Sequence, residues 1–120
     1  MARIRHVFTA FALVLLLCAP ATARAEAFLS AYEDLPLAPG LSEIPDSGLA
    51  FDSPGGRIVE AYAHGAVKPA DILKFYSVTL PQLGWTRESD RLYRRESEVL
   101  RLDPAPDRHG ITVRFAISPE

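Results

Sequence analysis

P-A-D-I-L-K-F-Y-S-V-T-L-P-Q-L-G-W, residues Pro69–Trp85, is the stretch of the chain that decides the fold. Side chains suited to a core recur in it at the spacing that places them along one side of a helix. They are Ile72, Phe75, Tyr76, Thr79, Leu80 and Leu83. Pro69 suits the first helical position, where its missing N–H costs nothing, whereas Lys68 before it is a poor cap. The spacing therefore predicts an amphipathic helix over about residues 69–83.

The end of this segment predicts how the helix stops. If Leu83 is the last capping residue, Gly84 takes the left-handed position after it and Trp85 follows. In that closure the Trp85 N–H bonds to the carbonyl of Leu80, and the Gly84 N–H bonds to that of Pro81. We therefore interpret Phe75, Tyr76, Gly84 and Trp85 as structural residues: the aromatic pair fills the core, and the Gly-Trp pair sets where the sheet resumes.

Strands are predicted on both sides of the helix. Before it, the stretches 48–52 and 57–64 flank Ser53-Pro54-Gly55-Gly56, which predicts a hairpin. Proline suits the first central position of a type II turn, and Gly55 supplies the positive φ that the second requires. After the helix, strands are predicted over 85–88, 91–95, 98–103 and 111–118, and a proline-containing loop over 103–109. In the last strand Ile111, Val113, Phe115 and Ile117 alternate with polar or small residues, so one face is buried.

This order, β-β-α-β-β-β-β, predicts a small two-layer α+β domain over residues 48–118, with one helix packed on an antiparallel sheet. Residues 26–47 contain several leucines together with Pro36, Pro39 and Pro45. Prolines at this density forbid a regular helix or a central strand. We therefore predict an extended arm whose apolar side chains lie against the domain.

The first 25 residues have the pattern of a secretory signal peptide. Arg3 and Arg5 precede an apolar run from Val7 to Cys18, and small residues follow up to Ala25. The run is shorter than the roughly 20 residues that a membrane span needs. We expect cleavage after Ala25, ahead of cleavage after Ala23, and a periplasmic or secreted protein with no membrane span after cleavage.

Cys18 leaves a second interpretation open, because it could be the acylated cysteine of a bacterial lipoprotein. That processing requires a small residue before the cysteine, and Leu17 stands there, so the cleavable signal peptide is preferred. Cys18 is the only cysteine, so a mature chain from Glu26 to Glu120 would have no disulfide. Its charge would be 10 basic minus 15 acidic residues, or −5, since three of the 13 basic residues and none of the 15 acidic ones lie in the leader. An acidic balance argues against binding nucleic acid.

The block F-Y-x-x-x-L-P-x-x-G-W, from Phe75 to Trp85, resembles one found in small exported bacterial proteins and lipoproteins of unknown function. In that group, a strand that ends in glycine precedes a helix containing Phe-Tyr, and Gly-Trp opens the strands that follow. The resemblance covers about residues 57–118, and it is specific as a structural signature only. It brings no catalytic or ligand-binding residues with it, and Leu17 before Cys18 departs from the lipoprotein members.

No pattern for metal or cofactor binding is present in the mature sequence. Its two histidines, His64 and His109, are far apart, and neither the metal-ligand spacings nor the phosphate-loop motif occurs. No serine lies in a nucleophile motif. Glu60, Tyr62 and His64 share one face of a predicted strand and form the nearest approach to an acid–base cluster. The plain alternative is the polar side of a half-exposed strand.

Arginines crowd the second half of the chain, where acidic residues are interleaved with them. Guanidinium groups on a sheet face can hold a carboxylate or phosphate, and we single out Arg101 and Arg114 as candidate ligand-binding residues. Cross-strand Arg–Glu pairs on a solvated face are the competing explanation.

Three functions stay open from the sequence. The first is a non-catalytic exported module that binds a protein or another component of the cell envelope. The second is a small anion-binding or ligand-binding domain that uses Arg101 and Arg114. The third is a small hydrolase with acid–base residues near Glu60 and His64. We expect a binding module rather than an enzyme, with no cofactor.

Overall fold

The computed structural model describes residues 27–120, and these form one helix and seven strands. The predicted signal peptide, its cleavage site and Cys18 lie outside the described residues. The strands are β1 (Ser42–Glu43), β2 (Leu49–Ser53), β3 (Gly56–Gly65), β4 (Thr86–Ser89), β5 (Leu92–Arg95), β6 (Glu98–Asp107) and β7 (Gly110–Pro119), and the helix is α1 (Pro69–Gln82). The predicted α+β class, with one helix on an antiparallel sheet, is confirmed. The prediction lacked only the two-residue strand β1, which lies inside the segment expected to be an extended arm.

The strands form a single antiparallel sheet in the order β1-β3-β7-β6-β5-β4, and β2 also pairs with β3. At the centre, Ala61 of β3 lies opposite Phe115 of β7. On the other side of β3, β1 pairs near His64 and β2 pairs next to the hairpin turn, where Phe51 lies opposite Ile58. The strand β2 is therefore an edge strand.

One face of the sheet is buried under α1 and the segment that precedes β1. Alternate residues of β3 and β7 point into this core, as the period-two pattern predicted. From α1 the buried residues are Ile72, Tyr76 and Leu80, and Phe75 is packed against them. Leu83 was predicted in the same stripe but is 39% exposed, because it lies beyond the last helical turn as the C-cap.

The helix ends as predicted. The Trp85 N–H donates to the Leu80 carbonyl at 3.1 Å, and the Gly84 N–H donates to the Pro81 carbonyl at 3.1 Å. Gly84 has φ +95°, the left-handed conformation that glycine adopts without strain. Trp85 is 2% exposed, so the closure leads the chain directly into the core before β4 begins.

The segment before β2 contributes apolar side chains to the same core. Six of the twenty buried apolar residues within residues 27–120 come from it: Leu29, Tyr32, Leu35, Leu37, Ala38 and Leu41. The Tyr76 hydroxyl holds the segment in place, since it donates to the Pro36 carbonyl at 2.8 Å and accepts from the Ala38 N–H at 3.1 Å.

Two local predictions were wrong. The stretch 103–109 is not a loop, since β6 continues through Pro104 and Pro106 to Asp107 and pairs with β7 throughout. The Leu102 N–H points away from β7 and donates to the Arg91 carbonyl. Because backbone groups alternate sides along a strand, the nitrogens of Pro104 and Pro106 also point away from β7. β5 does not extend that far, so no neighbouring strand lacks a hydrogen bond where these prolines have no N–H.

The second wrong prediction is the turn between β2 and β3. Gly55 does not have the positive φ of a type II turn; that conformation occurs at the next residue, Gly56, with φ +142°. The two-residue connection and the hairpin are as predicted, because Ser53 lies opposite Gly56.

Candidate functional site

The uncovered face of the sheet carries an ion cluster built from three adjacent strands. Arg114 of β7 lies between Glu60 of β3 and Asp103 of β6. Its Nε donates to Glu60 Oε2 at 2.7 Å, and its Nη1 donates to Asp103 Oδ2 at 3.0 Å. The pKa of Arg114 is raised, and the hydrogen bond to Glu60 is the largest cause. The cluster contains one positive and two negative charges.

This geometry bears on the predicted anion site. Arg101 and Arg114 do lie on the same face, on neighbouring strands, because Arg101 pairs with Ala116 two residues along from Arg114. Arg114, however, already donates to two carboxylates, which would repel an incoming anion. Arg101 is exposed and makes no ion pair with any residue in the described range. Of four other arginine–carboxylate contacts, Arg94–Glu88 joins neighbouring strands as the competing explanation expects. The others lie within one turn or reach outside the strands: Arg87–Asp90, Arg94–Glu120 and Arg95–Asp34.

The residues of the predicted acid–base cluster share one face but do not converge. Glu60 is bound by Arg114, and His64 Nε2 lies 3.7 Å from Asp107 Oδ2, too far for a good hydrogen bond. Four residues along a strand span roughly 13 Å, so Glu60 and His64 are too far apart to share a proton. Two surface concavities lie away from these residues.

Each concavity is a groove at the margin of the domain. The larger, with a volume of about 550 Å³, runs between α1 and the β4–β5 turn, where Lys74 and Arg87 line it. The smaller, about 410 Å³, is lined by residues 30–34 and Arg57. No group of three or more His, Cys, Asp or Glu side chains within residues 27–120 is arranged to hold a metal ion.

Large apolar side chains stand on the uncovered face beside the ion cluster. Leu49 and Phe51 of β2 are 51% and 48% exposed, and they lie opposite Glu60 and Ile58 of β3. Sequence reasoning placed a strand here but did not single out either residue. The L-x-F alternation next to a turn was the available indication, because it puts both side chains on one face.

A second polar cluster lies at the margin of the core and centres on Arg95. Its Nη2 donates to the Tyr32 hydroxyl at 2.6 Å and to Asp34 Oδ2 at 3.2 Å, and its Nη1 donates to the Leu83 carbonyl at 3.0 Å. The guanidinium also lies 4.5 Å from the centre of the Trp85 ring, a cation–π contact. Arg95 therefore joins the N-terminal segment, the helix end and β5, a role that sequence reasoning missed.

Tyr32 completes this cluster. Its hydroxyl donates to Glu98 Oε1 at 2.8 Å. Burial, with the hydrogen bond to Glu98 as the next cause, raises the pKa of Tyr32 to about 12. The cluster is a structural joint, since each of its polar groups is occupied by a neighbour within the domain.

The remaining residues singled out from the sequence are aromatic residues in or next to the core and two exposed glycines. Tyr76 and Trp85 are buried, and the Phe75 ring meets the Tyr76 ring edge to face at a centroid distance of 4.9 Å. Gly84 closes the helix, and Gly55 lies in the hairpin turn.

The comparisons with known proteins add no relative: no family model, no curated protein and no solved structure matches the chain. Within residues 27–120, no helix combines the length and the apolar character needed to cross a membrane.

Proposed function

We propose that the protein is an exported, non-catalytic module that binds a protein or another component of the cell envelope through the uncovered sheet face next to β2. The observation that carries the proposal is the half exposure of Leu49 and Phe51 on that face. Apolar surface gains roughly 25 cal/mol for every Å² removed from water, so two such side chains supply a favourable contact for a partner.

The arrangement of polar groups favours binding over catalysis. On the same face Arg114 binds both Glu60 and Asp103, and His64 lies too far from Glu60 to act with it. A protein interface usually has an apolar core with a polar rim, and here the ion cluster borders the apolar side chains of β2 on one side. The patch also lies on a hairpin at the margin of the sheet, where a partner can approach without an obstructing helix.

Export is proposed from the sequence alone. It depends on the basic, apolar and small-residue regions of Met1–Ala25 and on the resemblance of the block Phe75–Trp85 to blocks in exported proteins. A periplasmic or secreted location agrees with a partner in the envelope. Fractionation of cells that express the tagged chain measures the location directly.

Site-specific crosslinking in living cells tests the binding surface. A photoreactive amino acid replaces Phe51 on the uncovered face, and in a control strain it replaces Val78, which is 55% exposed on α1. We expect a discrete adduct from position 51 and none of the same mass from position 78. The proposal fails if position 51 gives no adduct, or if both positions give the same adducts.

A further inference from the structure

The outer edge of β2 has no proline, no bulge and no covering strand within residues 27–120, and its chemistry indicates what binds there. We propose that an extended segment of the partner adds to β2 as a further strand, with apolar side chains next to Leu49 and Phe51 and a basic side chain next to Asp52. The inference depends on the proposed binding function and specifies the class of partner.

Hairpin geometry shows which backbone groups of β2 are free. In a hairpin with a two-residue turn, the closing pair Ser53–Gly56 exchanges hydrogen bonds, so the bonded pairs recur at Phe51 and Leu49. A hydrogen bond of β3 supports this alternation. Tyr62, two residues after Glu60, accepts through its carbonyl from the Ile44 N–H, so this set of β3 backbone groups points to the β2 side of the strand. The N–H and C=O groups of Ala50 and Asp52 therefore point outward, and within residues 27–120 β2 pairs with no strand but β3.

The edge at the opposite end of the sheet is protected. Strand β4 carries the charged residues Arg87 and Glu88, and its pairing with β5 shifts register between Arg87 and Ser89. Charged side chains and bulges on an edge strand are two common devices against the addition of another strand. An extended segment therefore meets a poor template at β4.

The exposed end of β6 is protected by a different device. Beyond Arg101, where β5 no longer covers it, β6 carries Pro104 and Pro106. Both present a ring instead of an N–H to the free side, so a new strand would find no donor there. Strand β2 has no proline between Leu49 and Ser53 and no shift in its pairing with β3.

The charge at β2 selects the partner. Asp52 is exposed and lies opposite Arg57 of β3, but the Arg57 guanidinium donates to the Ala31 carbonyl, and Asp52 makes no ion pair with a residue in the range 27–120. Its side chain points to the opposite face from Leu49 and Phe51, because side chains alternate along a strand. A segment that alternates apolar and basic residues satisfies both faces at once, in either strand direction. A second copy of β2 offers no basic residue to Asp52, because the strand reads Leu-Ala-Phe-Asp-Ser, so a basic partner is favoured.

The test uses a capped peptide, Val-Lys-Val-Lys-Val, as the probe and isotope-labelled protein purified in the form that the cell produces. With millimolar peptide, nuclear magnetic resonance should show slowed hydrogen exchange of the amides of Ala50 and Asp52. The Phe51 amide, already bonded to β3, should change little. The charge-reversed peptide Val-Glu-Val-Glu-Val should bind about fivefold more weakly, and D52N should reduce that difference.

Ala50→Pro is the decisive variant. It removes one outward N–H and leaves the bonded pairs with β3 in place, so peptide affinity should fall at least about tenfold. Retained protection of the Phe51 amide shows that the hairpin of this variant is still folded. The inference is overturned if the peptide leaves the amides of Ala50 and Asp52 unchanged, if both peptides bind equally, or if A50P binds like the parent protein.

Two further outcomes separate this inference from the proposed function. Concentration-dependent protection of the same amides without peptide would mean that a second copy occupies the edge, which overturns the choice of partner. If the adduct at position 51 forms in cells equally well in A50P, the binding surface stands and strand addition is wrong. If no adduct forms at all, the proposed function itself fails.

Discussion

The hydroxyl of Tyr76 should contribute more to stability than any other single polar atom in the core. It donates to the Pro36 carbonyl at 2.8 Å and accepts from the Ala38 N–H at 3.1 Å. Tyr76→Phe removes both bonds and keeps the ring. Pro36 and Ala38 are both buried, so water cannot easily replace the lost partner.

The expected cost follows from those two groups. A buried donor or acceptor left without a partner costs about 1–3 kcal/mol, so the variant, which leaves one of each, should lose about 2–6 kcal/mol of unfolding free energy. For a domain of this size, each kcal/mol lowers the melting temperature by about 4–8 °C. Urea unfolding should show a lower midpoint with an unchanged slope. Hydrogen exchange between Leu29 and Leu41 should become faster, because the bonds hold that segment.

Tyr93→Phe is the matched control. Tyr76 and Tyr93 are both 0% exposed, but the Tyr93 hydroxyl makes no hydrogen bond of good geometry among the described residues, and its charged neighbour Arg87 lies opposite it on β4. Removing it should change the unfolding free energy by less than about 0.5 kcal/mol or raise it slightly. Equal losses in the two variants would refute the argument, because the effect would then belong to the ring environment and not to the bonds with the N-terminal segment.

Three further predictions concern the joint between helix and sheet. Gly84→Val should lower the unfolding free energy by about 1–3 kcal/mol, because φ is +95° and a Cβ would lie 3.3 Å from Arg95 Cδ. Urea unfolding measures this loss, and Gly84→Asn, measured beside it, should lose less. Arg95→Met, which loses the bonds to Tyr32 and to the Leu83 carbonyl, should cost about 1–3 kcal/mol, and an unchanged melting temperature would contradict that. The pKa of Tyr32 is about 12, raised first by burial and then by its bond to Glu98, so the folded state keeps a proton that the unfolded state loses near pH 10. Stability from this group is therefore complete below pH 10 and falls by about 2–3 kcal/mol as pH rises to 12; a Tyr32→Phe variant whose pH profile matches that of the parent protein would refute it.

Much of the fold could be predicted from residues that are close together in the sequence. The alternating pattern of β7 predicts a strand with one buried face. The apolar stripe of α1 predicts a helix that covers such a face. The closure at Gly84 was predictable because it depends on neighbours within five residues, Leu80 and Pro81. Where the determining contacts are local in sequence, the pattern of residues was sufficient.

The errors arose where distant strands decide the outcome. Pro104 and Pro106 indicate a loop unless the neighbouring strand is known to stop before them, and the length of β5 fixes that. The role of Arg95 depends on Tyr32, which is 63 residues earlier in the chain. On the uncovered face, Glu60 and Arg114 were singled out separately, and only the β3–β7 register brings them together.

The exposure of Leu49 and Phe51 is explained by which face of the sheet the rest of the domain covers. The only cysteine is at position 18, so residues 27–120 are held together without disulfides. A domain this small has a thin margin of buried surface, and here the N-terminal segment extends the core and contacts β3 at Arg57. That segment passes on the opposite face from Leu49 and Phe51, and it leaves both side chains uncovered. The same strand keeps outward backbone groups, whereas the edges at β4 and β6 are protected. One short strand thus combines the exposed apolar side chains with an edge that has neither a proline nor a bulge, which is why both proposals converge on β2.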